Sequence, residues 1–240
     1  MTSAFFQLCE PTYIENWPPL LINHSITTYY FPLSPEEIYC LLSGKFNDLK
    51  ELEAKIDEKI QQFPNGVFAR LGSRSPKDDY IALKNNFQYH SGKEIIESFW
   101  RSERIAKDIL LARENNYIPF LVLREWIQIE PWQEFRGFVI GRKLVGLSQY
   151  NYIINETFPE IKENEDRIVW SIQMKMGVIK ELLPTDDIII DFIYSNEQFG
   201  NEIVNEVKVL ELNPFSIYTD PCLFNWSRDT FDKFEFRYLQ

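Results

Sequence analysis

Residues 207–214 read VKVLELNP and residues 188–194 read IIIDFIY, so each run sets one carboxylate, Glu211 or Asp191, among Val, Ile and Leu. Two such runs separated by a polar segment are predicted to pair as strands with a polar loop between them. An unpartnered charge buried in a strand costs on the order of several kcal/mol, so its placement there asks for a partner. Alternate residues of a strand share a face, so Glu211 and Asn213 project together, and a hairpin brings Asp191 beside them. Three hard oxygen donors then converge, a set suited to magnesium carrying a polyphosphate. The same carboxylates would also serve as solvent-facing residues of a half-covered sheet, and spacing alone leaves both readings open.

Upstream, FLVLREWIQI at 120–129 is predicted as a strand. EFRGFVI at 134–140 and KLVGLSQYNYI at 143–153 form a hairpin around Gly141-Arg142, with glycine first in the turn as type II′ requires. Glu134 and Arg136 share a strand face, and Arg124 lies one hairpin-length before them. Arginine's planar fork suits phosphate, although an ion pair within the sheet uses the same residues. Ile168, Ile172, Met176 and Ile179 predict a helix within 164–183.

The first half is richer in helices. Ser34, Pro35 and Glu37 spell a capped start and Gly44 a stop, predicting a helix over about 35–43. Leu49, Leu52, Ile56, Ile60 and Phe63 predict a second, and Ser91 and Ser102 cap two consecutive pieces within 91–115. VFARL at 67–71 reads as a strand running into GSRSPKDD at 72–79. The backbone amides of that loop, with Ser73, Ser75 and Lys77, suit a flexible flap over phosphates, and an ordinary exposed turn has the same composition. The resulting class is α+β with mostly antiparallel sheets, divided into 1–118, which bears the flap, and 119–240, which bears the carboxylate strands.

The chain has 240 residues, 45% of them hydrophobic, enough for a sizeable core. Its 36 acidic and 25 basic residues give a net charge of −11, which argues against a general nucleic-acid binder. Cys9, Cys40 and Cys222 match neither a disulfide framework nor a zinc motif. His24 and His90 have no second ligand at useful spacing and read as structural. With no apolar run of about 18 residues and no basic leader, the expectation is a soluble cytoplasmic protein without a membrane partner.

Taken together, FARLGSRSPKD, LVLREW, EFRGFVI, KLVGLSQ, IIIDFIY, LELNPF and TDPCLFNW resemble the cell division cycle protein 123 family, from about Ser25 to Trp226. The resemblance implies an ATP-grasp fold, two α+β subdomains enclosing a nucleotide cleft for ATP and Mg2+. It implies Arg70 in the place of a phosphate-contacting lysine, Ser73, Ser75 and Lys77 on the flap, and Arg124, Glu125, Trp126 and Ile127 as the hinge meeting adenine. Glu134 and Arg136 would reach toward the nucleotide, and Asp191, Glu211 and Asn213 would hold the metal. The pattern also departs: Arg70 replaces lysine, Tyr150 stands where the family's Ser-Gln-Arg has its arginine, Gly72-Ser73-Arg74 replaces Asn-Trp-Ser, and Glu211 replaces aspartate.

Family members assemble translation initiation factor 2 by binding its gamma subunit, so the resemblance implies an ATP-dependent assembly chaperone or binding module. The shorter length, without an acidic insertion or a C-terminal extension to embrace the partner, supports the nucleotide site better than the partner. The alternative is an ATP-grasp ligase that activates a carboxylate or a nucleic-acid end. No catalytic residue is assigned.

Overall fold

A computed structural model describes residues 3–199 and 202–240, which form two compact units. One comprises residues up to Asn16 and Thr27–Ile127; the other comprises Trp17–Ile26 and Gln128–Gln240.

The first unit builds a three-stranded antiparallel sheet in the order β1 (Thr28–Pro32), β3 (Phe120–Glu125), β2 (Val67–Leu71). The sequence reading assigned β3 to the C-terminal part; its place is the middle of this sheet, where Leu121, Val122 and Leu123 are buried. Helices α1 (Ala4–Cys9), α3 (Pro35–Ser43), α4 (Lys50–Ile60), α5 (Tyr80–Lys84), α6 (Gly92–Arg101) and α7 (Glu103–Glu114) belong to this unit, and α2 (Pro19–Ile22) to the other. The core joins Phe31, Leu52, Ile56, Ala69, Ile95, Phe99, Ile105 and Leu123. The predicted capping box is present: Ser34 Oγ accepts from the Glu37 amide while Glu37 accepts from the Ser34 amide. Ser91 and Ser102 cap α6 and α7, each cap worth about 1 kcal/mol.

The second unit is a five-stranded sheet in the order β7 (Glu202–Pro214), β6 (Ile188–Phe199), β4 (Glu134–Ile140), β5 (Lys143–Gln149), β8 (Glu235–Arg237). All pairings are antiparallel except β5 with β8, a short parallel strand that carries no pattern of its own. The β4–β5 turn differs from expectation: Gly141 and Arg142 both have positive φ, 54° and 61°, the type I′ signature. Arg142 tolerates this strain because its amide donates to the Asp186 carbonyl and its side chain reaches Asp186 and the Lys180 carbonyl. The strands β6 and β7 pair out to Phe199 and Glu202, through residues expected to be loop. Helices α8 (Pro159–Glu163) and α9 (Glu165–Ile179) follow β5, and Ile168, Ile172, Met176 and Ile179 bury one face of α9. The edge of β7 is partly covered, since Ser25 Oγ donates to the Val209 carbonyl and the Val209 amide donates to the His24 carbonyl. Among the described residues, no helix is long and apolar enough to cross a membrane.

Candidate functional site

Register places the two carboxylates of the opening motif. Asp191 stands opposite Glu211, and Ile189 opposite Asn213, but Phe192 then stands opposite Val209. The shift leaves Leu210 as an extra residue, a β-bulge that re-aims the strand. Strict alternation along β7 would put Glu211 and Asn213 on the face of buried Val207 and Val209. The bulge turns them to the other face, where Asp191 projects. Across β6 the register opposes Asp191 to Arg136 of β4, and Arg136 in turn to Ser148 of β5. One end of this sheet face is therefore polar. The other end is an aromatic cluster of Phe138 with Phe215, Phe224, Trp226 and Phe231.

Arg136 is the hub of the polar end. Its Nε and Nη2 donate to Asp191 Oδ1 and Oδ2, both at 2.8 Å, and its Nη1 donates to the Asp220 carbonyl at 2.7 Å. The sequence reading weighed an ion pair within the sheet, with Glu134 on the same strand; the carboxylate that meets the guanidinium in two prongs is Asp191, across the ladder. Burial opposes the Arg136 charge, but Asp191 outweighs it and holds the guanidinium well above its ordinary value. Asn213 Nδ2 donates to Asp191 Oδ2 at 3.1 Å, which turns the amide oxygen away from Asp191. Tyr150 lays its ring 4.9 Å from the guanidinium carbon. Burial, then Asp191 and Glu134, push the Tyr150 phenol far up, with Glu211 adding to them and Arg136 opposing.

Asp220, which the sequence reading quoted only within TDPCLFNW and gave no role, completes the polar end. Asp220 takes the Tyr152 hydroxyl on both carboxylate oxygens at 3.0 Å and the Cys222 amide at 2.8 Å, fixing the loop whose carbonyl Arg136 uses. The signal available was Thr-Asp-Pro, an aspartate turn, which names a loop but not its destination. Burial and the neighbouring Asp191 and Asp220 charges, opposed by Arg136, leave the Cys222 thiol pushed up to about 12. Ser148 and Gln149 are structural anchors: Ser148 Oγ accepts from the Leu223 amide and Gln149 Oε1 from the Leu239 amide, tying down the C-terminal segment.

In the first unit the expected residues are distributed along β2, its following loop and β3. Arg70 is buried and donates to the carbonyls of Leu71 and Ser73, so it shapes the start of the loop. The loop expected to be a flexible flap is tied at several points. Arg74 pairs with Asp108, Arg104 Nε donates to the Ser75 carbonyl, Asp78 accepts from Ser102 and the Arg104 amide, and Asp79 takes a two-pronged bond from Arg101. Ser75 is buried and Lys77 exposed. Arg124 is buried and donates to Thr28 Oγ1; Glu125 accepts from Thr27, and the Trp126 indole donates to the Asn86 carbonyl. Ile127 is half-buried. Beside the loop, Glu15 accepts the Tyr117 hydroxyl at 2.7 Å, while its other oxygen is buried without a hydrogen bond against Gly72.

These elements define the class of protein. A model of the D123 family matches residues 34–238, and the chain belongs to that family. It is 31% identical over 189 residues to a translation initiation factor eIF2 assembly protein of Xenopus laevis, covering 75% of this chain and 53% of that one. It is 28% identical over 191 residues to cell division cycle protein 123 of Eremothecium gossypii, covering 75% and 50%. The chain thus spans about half the length of these curated relatives. Its fold matches that of Cdc123 from Schizosaccharomyces pombe with a TM-score of 0.78 at 20% identity, over 92% of this chain and 90% of that one. The fold is α+β with mostly antiparallel sheets, as expected, and it is the fold of that Cdc123 structure.

Among the described residues no three His, Cys, Asp or Glu side chains cluster as a metal site. A cation at the polar corner would therefore need a mixed donor set: the Asp191 and Glu211 carboxylates are hard oxygens of the kind magnesium takes, and Asn213 would add its amide oxygen once its side chain turned over, since its nitrogen now faces Asp191. Asp191 is already oriented by Arg136, the supporting contact a ligating carboxylate needs. The residues fit the group.

Proposed function

We propose that this chain binds ATP with magnesium and acts as an ATP-dependent assembly chaperone or binding module for a protein partner. One observation carries the reading: Arg136, Asp191 and Asn213 form a mutually oriented polar network on the sheet face that Glu211 shares. Bound magnesium would supply positive charge for phosphate beside those carboxylates. Asp191, Glu211 and Asn213 would hold it, Arg136 would fix the Asp191 carboxylate plane, and Glu134 and Tyr150 would border the nucleotide. The relatives' names support an initiation factor 2 assembly role, and the family resemblance a gamma-like subunit as partner. In the first unit, Arg70, Ser73, Ser75, Lys77 and the segment 124–127 are carried over by resemblance as nucleotide contacts.

The test is thermal denaturation of the purified chain titrated with ATP, with and without magnesium. A ligand at a hundredfold its dissociation constant adds about 2.7 kcal/mol, which moves the midpoint by several degrees. A midpoint unmoved by saturating Mg-ATP overturns the reading. Glu211→Ala and Asn213→Ala should remove the magnesium-dependent part of the shift, and Tyr150→Ala the part that metal does not supply. Incubation with ATP then tests turnover, and a binding module releases no stoichiometric burst of ADP or AMP.

A further inference from the structure

The helix α9 is apolar on two faces. Ile168, Ile172, Met176 and Ile179 are buried against its own unit, yet Trp170, Met174 and Val178 on the opposite face are 60%, 54% and 59% exposed. Their spacing of four residues lines them into one stripe. A surface helix ordinarily presents a polar outer face, and one that is apolar all round is normally covered on all sides.

The stripe is symmetric about its middle residue. At about 100° per residue, Trp170, Met174 and Val178 lie within about 40° of the Met174 direction, as do Arg167 one turn before and Glu181 one turn after, in the 3-10 turn Lys180–Leu182 that continues the helix. Trp170 and Val178 are equidistant from Met174 in sequence, and so are Arg167 and Glu181. Two copies laid antiparallel across Met174 therefore bring Trp170 against Val178, Met174 against itself on the two-fold axis, and Arg167 against Glu181, twice over. Gly177, beside Val178, has open space where a side chain would be, which makes room for the indole of the second copy.

We propose that two copies of this chain associate through this face of α9 in an antiparallel, two-fold contact. Isologous contacts require a self-complementary surface, and here both the apolar and the charged residues satisfy that requirement. The net charge of −11 repels a second copy in general, so the specific Arg167–Glu181 pairs decide the geometry. One helix stripe is smaller than the roughly 800 Å² per partner of a standard interface, so the dimer is a weak one.

Sedimentation velocity of the full chain from about 1 µM to several hundred µM, where a weak dimer dissociates, tests this. The expected result is a shift from monomer toward dimer that weakens as salt is raised. Met174→Glu, which sets two carboxylates on the axis, should keep the protein monomeric throughout. Arg167→Glu should raise the dissociation constant about tenfold, because each change acts at both ends. Arg167→Glu combined with Glu181→Arg should restore association to near the wild-type value. These side chains are exposed, so unchanged circular dichroism and melting verify the fold of each variant. A protein that is monomeric at every concentration overturns the proposal, as does association that survives Met174→Glu or a charge swap that fails to rescue.

Discussion

Each unit buries an aspartate under a two-pronged arginine, and the two pairs differ in what surrounds them. In the first unit Arg101 bonds Asp79 at 3.0 and 2.8 Å, and Asp79 also caps α5 through the Ile81 amide. Every acceptor there has a local structural duty, and Arg101 remains 22% exposed. In the second unit Arg136 is 6% exposed, and its Asp191 is accompanied by Glu134, Glu211, Asn213 and Tyr150. A buried ion pair alone is thus a device of fold. One that shares its sheet face with a further carboxylate and a carboxamide, as Asp191 does with Glu211 and Asn213, is also a candidate binding site.

The largest expected effect separates the two pairs by stability. Arg136→Ala strands Asp191 inside the sheet and should cost about 3–5 kcal/mol in urea denaturation. Arg101→Ala leaves Asp79 with its bonds to the Ile81 amide and the Ser98 side chain, and removes a partner that is itself partly exposed, so it should cost about 2 kcal/mol, the range for hydrogen bonds to a charged group. Equal losses would break the comparison, because they would place both aspartates in equivalent surroundings.

The same contrast sets what was legible in the sequence. Elements carried by local chemistry were readable: the helix starts at Ser34, Ser91 and Ser102, the turn at Gly141, and the two carboxylate strands. That Glu211 and Asn213 share a face was readable from their alternation, but their placement on the face of Asp191 rests on the bulge at Leu210. What was not readable depends on partners distant in the chain. The Asp191 carboxylate is met by Arg136, 55 residues away, through a ladder register that strand patterning does not fix. The Leu210 bulge has no residue signature, and β3 joins the first sheet although a strand pattern is silent on which sheet receives it. Arg70, Arg74, Asp78 and Asp79 read as chemistry because they are charged, whereas the structure gives each a partner within the fold.

A smaller effect probes the loop after β2. A methyl group at Gly72 would overlap Glu15 Oε2, so Gly72→Ala must displace that side chain, at about 1–3 kcal/mol. Adding Glu15→Ala should recover part of the loss, and a coupling above about 0.5 kcal/mol in the double-mutant cycle identifies the contact. Strict additivity would show that the loop is held by Arg70 and Arg74 instead.

Glu15 also makes the loop sensitive to acid in a defined direction. Burial raises its carboxyl above the ordinary 4.5, against the lowering bond from Tyr117 and the charge of Arg70. The folded state therefore holds this proton more tightly than the unfolded chain. Its contribution to stability is complete below about pH 4.5 and is lost as pH rises through the raised value. Glu15→Gln imitates the protonated form, so the wild type should fall behind it across that window. Asp79, held low by Arg101 against its burial, runs the opposite way and loses its contribution as pH falls, in both proteins alike. Subtracting the two stability profiles isolates Glu15, and a difference that does not grow with pH would refute the assignment.

The smallest stability effect is expected where the functional loss is greatest. Glu211 is half-buried on β7, so Glu211→Ala should cost no more than about 1 kcal/mol without ligand, well below the loss expected for Arg136→Ala. With Mg-ATP present the variant should forfeit the magnesium-dependent stabilisation, while Asp78→Ala in the first unit should weaken the α7 cap and leave that shift unchanged. A carboxylate that barely supports the fold yet controls the response to metal belongs to a binding site. If Glu211→Ala instead destabilises the free protein and leaves the metal response intact, the second corner is structural like the first.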